Sequence, residues 1–161
     1  MKLLIVSATK GNNHILAEKI AELLNVDYEI ISLEDYSLPL FVPGGEKADE
    51  GITLDLVSKF ENADGFVFCI PEYNAGMPPI LTNAITWITV STKNWRGAFS
   101  DKKALIATHS GGPAFNLLST FQDQLEYMGC TVHHRKISVH GNAKFNMESV
   151  KRILNSFVKL F

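Results

Sequence analysis

Neither sign of charge dominates this sequence. Fifteen Lys and Arg against seventeen Asp and Glu leave a formal charge of −2 over 161 residues. No basic field is on offer to nucleic acid, and no acidic one to steer docking onto a redox partner. No apolar run reaches the about 18 residues of a membrane-crossing helix. The strand-like opening, Met1 to Ser7, is too short for a secretory leader. A cytoplasmic protein is the expectation. Cysteine is scarce: Cys69 and Cys130 both lie in apolar runs. Small buried hydrophobes fit them better than a disulfide or a reactive thiol. No Cys or His recurs at metal-ligand spacing, so no metal site is expected. G-x-x-x-x-G-K-[ST] is missing, and so is G-x-G-x-x-G, which excludes a nucleotide P-loop and a dinucleotide fingerprint. The first strand ends at Ser7 rather than at the carboxylates of a receiver domain. Repeats and low-complexity segments are absent too.

What is present is an alternation of two periods. Hydrophobic content of 46% with 20% charged residues marks a globular chain, and the length suits one domain over residues 1–161. "KLLIVS" (2–7), "DYEIISLE" (27–34), "GFVFCI" (65–70), "KALIATH" (103–109) and "CTVHHRKISV" (130–139) read as strands. The first, lacking polar alternation, reads as covered on both faces. Between them apolar residues recur at helical spacing. The sets are Leu16, Ile20, Leu23 and Leu24; Leu54, Val57 and Phe60; Ile80 to Ile88; and Leu118, Phe121, Leu125 and Met128, closed by Gly129. Ile153 to Phe161 form a last helix, capped by Asn146. Residues 36–51, broken by Pro39, Pro43, Gly44 and Gly45, form a loop. Five strands alternating with five helices imply an α/β fold with a parallel sheet covered on both faces. The expected arrangement is a flavodoxin-like three-layer sandwich of strand order 2-1-3-4-5.

Such sheets take ligands at the carboxyl ends of the strands, where the winding reverses. Three loops leave from there. Loop one, "SATKGNNH" (7–14), offers the hydroxyls of Ser7 and Thr9, Lys10, the amides of Asn12 and Asn13, His14, and Gly11 for the turn. It feeds a helix N-terminus and contains no acid, which suits a phosphate; helix capping by Asn12 or Asn13 is the plainer alternative. Loop two, after the third strand, is Pro71, Glu72, Tyr73, Asn74, Ala75, Gly76. Pro71 stiffens it, Tyr73 offers an aromatic wall, and Ala75 and Gly76 leave the backbone approachable. Loop three carries His109, Ser110, Gly111 and Gly112, the glycines permitting a flat ligand close to the backbone. A phosphate on loop one with a planar heterocycle between loops two and three describes a mononucleotide such as FMN.

The loop-two stretch, "PEYNAGMPPILTNAITW" (71–87), resembles the flavin loop of the NADPH-dependent FMN reductase family, the group of NAD(P)H quinone, azo and chromate reductases. Pro71, Glu72, Tyr73, Asn74, Pro78, Leu81, Asn83, Ala84, Ile85 and Trp87 stand in that family's pattern. "GGPAFNLLSTFQDQLEYMGCTV" and "SLPLF" (37–41) resemble its later segment and its loop after strand two. Loop one departs: Val6 stands where the family has Gly and Thr9 where it has Arg. The resemblance implies FMN as cofactor and NADPH or NADH as donor. It implies a small-molecule acceptor, with neither nucleic acid nor membrane as partner, and a homodimer or homotetramer. Trp87 and Trp95 are candidates for the subunit surface or for core packing. Catalysis is assigned to the cofactor rather than to Glu72 or Tyr73. His109 either touches the ring or simply packs. A non-enzymatic flavodoxin-like electron carrier is the rival, and a flavin-binding regulatory protein a third possibility.

Overall fold

The computed structural model describes all 161 residues. Its order is β1 (Lys2–Ser7), α1 (Asn12–Ala21), β2 (Asp27–Ser32), a 3-10 turn (Leu33–Asp35), α2 (Glu50–Asn62), β3 (Gly65–Cys69), α3 (Pro79–Ser91), β4 (Lys103–His109), α4 (Phe115–Tyr127), β5 (Thr131–Val132), β6 (Ile137–Val139) and α5 (Met147–Val158). The sheet is parallel, of order β2-β1-β3-β4-β5, with β6 also paired to β4. The expected strand order holds.

The apolar runs explain the layering. Every residue of β3 is buried, and β1 is buried from Leu3 to Ser7. Alternate side chains therefore supply two cores. Leu4, Val6, Phe66 and Phe68 face α2, α3 and α4. Leu3, Ile5, Val67 and Cys69 face α1 and α5. Phe60, Phe66, Phe68, Phe99 and Phe121 form a chain of ring contacts through the first core, with Phe68 edge-on to Phe121 at 5.0 Å. Gly65 opens β3 for want of space: a Cβ there would lie 2.7 Å from the Lys103 carbonyl and 2.6 Å from the Phe161 ring.

Register brings Ser7, Ser32 and Cys69 level at the carboxyl edge. The winding reverses between β1 and β3, so loops one and two leave the sheet side by side.

Two expectations change. The fifth strand, expected over 130–139, is split at residues 133–136. His133 there is buried, its Nδ1 beside the Arg135 carbonyl (3.0 Å) and its Nε2 beside the Ser156 hydroxyl (3.1 Å). Lys136 Nζ donates to the His133 carbonyl at 2.6 Å. The His133 N–H still reaches the Ala104 carbonyl at 2.8 Å, but the Arg135 N–H turns to His133 Nδ1 at 3.3 Å instead of to β4. The His133 and His134 rings lie 4.5 Å apart, tilted by 36°. Leu54 is exposed; Thr53, Leu56, Val57 and Phe60 form the buried face of α2. The stretch before β4 also contains a helix stop. Lys102 Nζ donates to the carbonyls of Phe60, Glu61 and Ala63, each at 2.6 Å, satisfying the orphan end of α2. Asn146 does cap α5, accepting the Ser149 N–H at 2.9 Å.

Candidate functional site

Loop one turns on Gly11, whose φ of +89° suits glycine. It occupies the N-cap position without a side-chain cap, so neither Asn12 nor Asn13 caps α1. The first intrahelical bond runs from Ile15 N–H to the Gly11 carbonyl. The N–H groups of Asn12, Asn13 and His14 thus stay unpaired at the positive end of the helix, a receptor for an anion.

Several side chains of that loop face other tasks. The Ser7 hydroxyl is buried and donates to the Thr9 carbonyl at 2.6 Å. Lys10 leans away: its ammonium meets Asp35 at 2.5 Å and its N–H donates to Glu34 at 2.9 Å. The acid missing from loop one is therefore supplied by the 3-10 turn beside it. Asn13 is 3% exposed and bridges to the end of β4. Its Nδ2 donates to the His109 carbonyl at 3.0 Å, and its Oδ1 accepts the His109 N–H at 2.9 Å. The Thr9 hydroxyl, the Asn12 amide and the free N–H groups remain for a ligand.

Loop two is a tight turn. Tyr73 and Gly76 exchange both backbone hydrogen bonds, at 3.1 and 2.9 Å. Asn74 and Ala75 between them take φ of 51° and 58°. Asparagine tolerates that region; alanine pays about 1–2 kcal/mol there. Glycine would relieve the strain but loses roughly 0.4–1 kcal/mol through its freer unfolded chain. Ala75→Gly is expected to stabilise the protein by about 0.5–1 kcal/mol, raising Tm by roughly 1–4 °C. Thermal denaturation checks it, and a lowered Tm contradicts the strain. A second alanine at φ 59°, Ala114, precedes α4, so strain flanks the site on two loops.

Loop three ties to loop two. Ser110 Oγ accepts the Glu72 N–H at 2.8 Å and shares a hydrogen bond with the Thr108 hydroxyl at 2.8 Å. Glu72 turns its carboxylate toward the Leu117 N–H in the first turn of α4, at 3.4 Å. That placement suits a helix N-terminus rather than acid–base chemistry. Gly111 and Gly112 have no positive φ, and a Cβ on either would meet nothing within 4 Å. The backbone does not require glycine at either position, and the space beside both stays open to a flat ligand.

The three loops enclose a cleft of about 380 Å³ lined by Thr9, Lys10, Asn12, Asn13, Pro71, Glu72, Tyr73, His109, Ser110 and Gly111. All ten lining residues belong to the loops expected at the site, and Ser7 and Gly11 sit beside them, holding its floor and turn. His14, Asn74, Ala75, Gly76 and Gly112, also expected there, lie outside the lining. The volume falls in the range of small-molecule sites, roughly 300–1,000 Å³. Nearly every lining group is polar, and Tyr73 is 49% exposed. The donor set, with a helix N-terminus for a phosphate and a rigid turn beside it for a ring, fits FMN.

Two further residues of the motif matter. Asn83 accepts the Phe41 N–H at 2.9 Å and donates to the Pro39 carbonyl at 3.0 Å. Trp87 donates from Nε1 to Pro39 at 2.7 Å and packs edge-on against Phe41 at 5.2 Å. They pin the loop after β2 onto α3. Trp87 is thus an internal anchor, while Trp95 lies against the Arg96 guanidinium, 4.5 Å from its ring, with Tyr127 beyond.

Sheet order, layers and a polar cleft at the winding reversal define a flavodoxin-like fold. Flavodoxin 1 of Bacillus cereus superposes with a TM-score of 0.67 at 19% identity, covering 100% of this chain and 99% of its own. FerB, a flavoenzyme NAD(P)H:(acceptor) oxidoreductase of Paracoccus denitrificans, gives 0.80 at 19% identity over 98% and 95%. The sequence narrows the class. The model of the NADPH-dependent FMN reductase family matches residues 1–144, and the chain belongs to that family. An NAD(P)H-dependent FMN reductase of Schizosaccharomyces pombe is 34% identical over 93 residues, 54% of this chain and 43% of its own. An FMN-dependent NADH:quinone oxidoreductase of Geobacillus kaustophilus is 35% identical over 74 residues, 42% of this chain and 35% of its own. The aligned part spans less than half the length of these relatives.

Proposed function

We propose that the protein is an FMN-dependent oxidoreductase, moving electrons from NADPH or NADH to a small-molecule acceptor such as a quinone, an azo compound or a flavin. The observation that carries this is the meeting of loops one, two and three around one polar cleft at an uncapped helix N-terminus. FMN supplies the hydride and electron chemistry when bound. The chain does the rest. The N–H groups of Asn12, Asn13 and His14 hold the phosphate, with Thr9 and Asn12 side chains beside them. The Asn13–His109 bridge keeps loops one and three at a fixed spacing. Pro71 and the Tyr73 turn form a wall that leaves one face of the cleft open for donor and acceptor in turn.

Adding NADPH or NADH to the flavin-loaded protein without oxygen should bleach its visible absorption at least as fast as turnover. Donor and acceptor sharing one open face should give parallel double-reciprocal lines with a quinone. A flavin that stays oxidised with both nucleotides refutes the reductase. The carrier reading has one observation behind it, the flavodoxin superposition; the near-neutral charge and the family match weigh against it.

Asn12→Asp probes the phosphate site directly. Asn12 is exposed and makes no structural hydrogen bond, and aspartate suits a first helical turn. Against a phosphate about 5 Å away, each unit-charge pair costs roughly 3 kcal/mol at an effective dielectric of about 20. Screening at an exposed position reduces this to about 1–2 kcal/mol. FMN should bind roughly ten-fold more weakly with Tm of the apo protein unchanged; equal affinity in a titration places the phosphate elsewhere.

No helix is long and apolar enough to cross a membrane, and a cytoplasmic setting, with the chain acting as one domain, accords with the family. We also propose a homodimer or homotetramer. Leu40, Val42, Leu54 and Val90 are all more than half exposed around α2, α3 and the loop they hold, the kind of patch an interface covers. Light scattering should show at least twice the 17.9 kDa chain mass at micromolar concentration; the single-chain mass rejects assembly.

A further inference from the structure

Charge is unevenly spread along this near-neutral chain. From Tyr127 to Met147 there is no Asp or Glu, yet the segment holds Arg135, Lys136, Lys144 and three histidines, His133, His134 and His140. The fold divides these cations. His133 is buried as a structural residue. Arg135, Lys136 and Lys144 line a small hollow at the N-terminal end of α5. Lys136 also rims, with His134 and His140, a groove of about 550 Å³ between α4 and β6, with Pro113, Phe115 and Leu118 on its other side.

Two features of that groove suit a base bearing a phosphate. Phe115 is 75% exposed and pairs with no other aromatic ring, a free platform for stacking a purine. Lys136 is half-buried and held in place by the hydrogen bond to the His133 carbonyl, which uses one of its three protons. Two remain for an incoming anion. Burial holds the Lys136 ammonium below its usual range, offset in part by the Glu126 carboxylate, to which Gln122 donates at 2.8 Å.

The groove also adjoins the cleft. Gly111 lines the cleft and Pro113 lines the groove. Two residues of chain reach at most about 7 Å. Ser138 Oγ, on β6, fixes that joint by donating to the Pro113 carbonyl at 3.0 Å. An acceptor needs only the cleft. A dinucleotide needs a second site at one molecule's reach from the first.

We propose that this groove holds the adenosine 2′-phosphate half of NADPH, with Phe115 under the adenine and Lys136, His134 and His140 on the 2′-phosphate, so that the protein selects NADPH over NADH. The assignment rests on the donor role proposed above. Binding energy spent on the 2′-phosphate, a group far from the reacting atoms, is available only to NADPH.

The test is calorimetric and needs no turnover. Adenosine 2′,5′-bisphosphate and adenosine 5′-monophosphate are titrated into the flavin-loaded wild type, Lys136→Met and Phe115→Ala. In the wild type the bisphosphate should bind at least about ten-fold more tightly, the worth of one charge-assisted phosphate contact. Lys136→Met should erase most of that difference with FMN content unaltered. Phe115→Ala should weaken both nucleotides alike; as an exposed position, it also tests the groove should Lys136→Met disturb β6. In turnover, Lys136→Met should raise the KM for NADPH more than that for NADH. Wild type that binds both probes equally, or a Lys136→Met protein that still discriminates, overturns the assignment. Failure of both NADPH and NADH to reduce the flavin refutes the reductase instead, and the titrations still decide the groove.

Discussion

Asn13→Leu should lower Tm by roughly 5–15 °C and loosen FMN together with the fold. Leucine fills much the same volume but releases two backbone groups at the end of β4, the His109 N–H and carbonyl that Asn13 brackets. Asn13 is 3% exposed, so water cannot readily replace either bond. An unsatisfied buried polar group costs about 1–3 kcal/mol, giving about 2–5 kcal/mol for the pair. The bond partners lie 96 residues apart in sequence, so the same change frees loop one from loop three and blurs the spacing on which a ligand depends. Asn13→Asp discriminates between packing and hydrogen bonding. It keeps an acceptor for the His109 N–H but sets an oxygen against the His109 carbonyl, and should recover part of the stability at most. Thermal melts and FMN titrations of the two variants check this. A leucine variant as stable as wild type removes the bridge from any structural role.

Phe68→Ala should be the most destabilising single truncation in the first core, by about 3–5 kcal/mol. Phe68 is fully buried in the middle strand, within ring contact of Phe60, Phe66 and Phe121. Those partners sit on separate elements, so the void cannot be closed by moving one side chain. A domain holds about 5–15 kcal/mol in all, so the apo variant should show a large loss in urea midpoint with little change in slope. Ligand linkage makes a second readout. FMN at 100 times its Kd adds about 2.7 kcal/mol to any folded form that binds it. Saturating FMN should therefore restore a good part of the loss, because the cleft lies beyond Cys69 and is not itself altered. A Phe68→Ala protein that FMN does not stabilise means that the core defect reaches loop two.

Continuous apolar runs made β1, β3 and β4 legible, since a strand buried on both faces has no other composition open to it. Their alternation with helices then narrowed the sheet order to a few topologies, because crossovers are right-handed. The fifth strand misled because "HHRK" carries β-compatible neighbours while its own side chains compete for the backbone. Leu54 misled because α2 shifts its buried stripe by one residue, onto Thr53. At the site, the composition of loop one showed an anion receptor but not which donors remain free. Lys10, Ser7 and Asn13 are each diverted, and the partners of Lys10 and Asn13, namely Asp35, Glu34 and His109, lie in other loops. Only a fold can bring such partners together. The cationic groove was legible in part, as a stretch without acids; its joining to Phe115 was not.

The two cysteines occupy different worlds within the sandwich. Cys69 lies in the layer formed with α1 and α5, and Cys130 in the layer formed with α2, α3 and α4. Both are free, and burial pushes both thiols above their usual range, Cys130 to about 12. Thiolates, not thiols, react with alkylating agents. The folded protein therefore carries one silent label on each face of its sheet. Under fast reclosing, the rate at which iodoacetamide modifies each sulfur reads the free energy of opening of that face. Mass spectrometry of the two sites then shows whether the layers open together or one ahead of the other, with no probe added to the sequence.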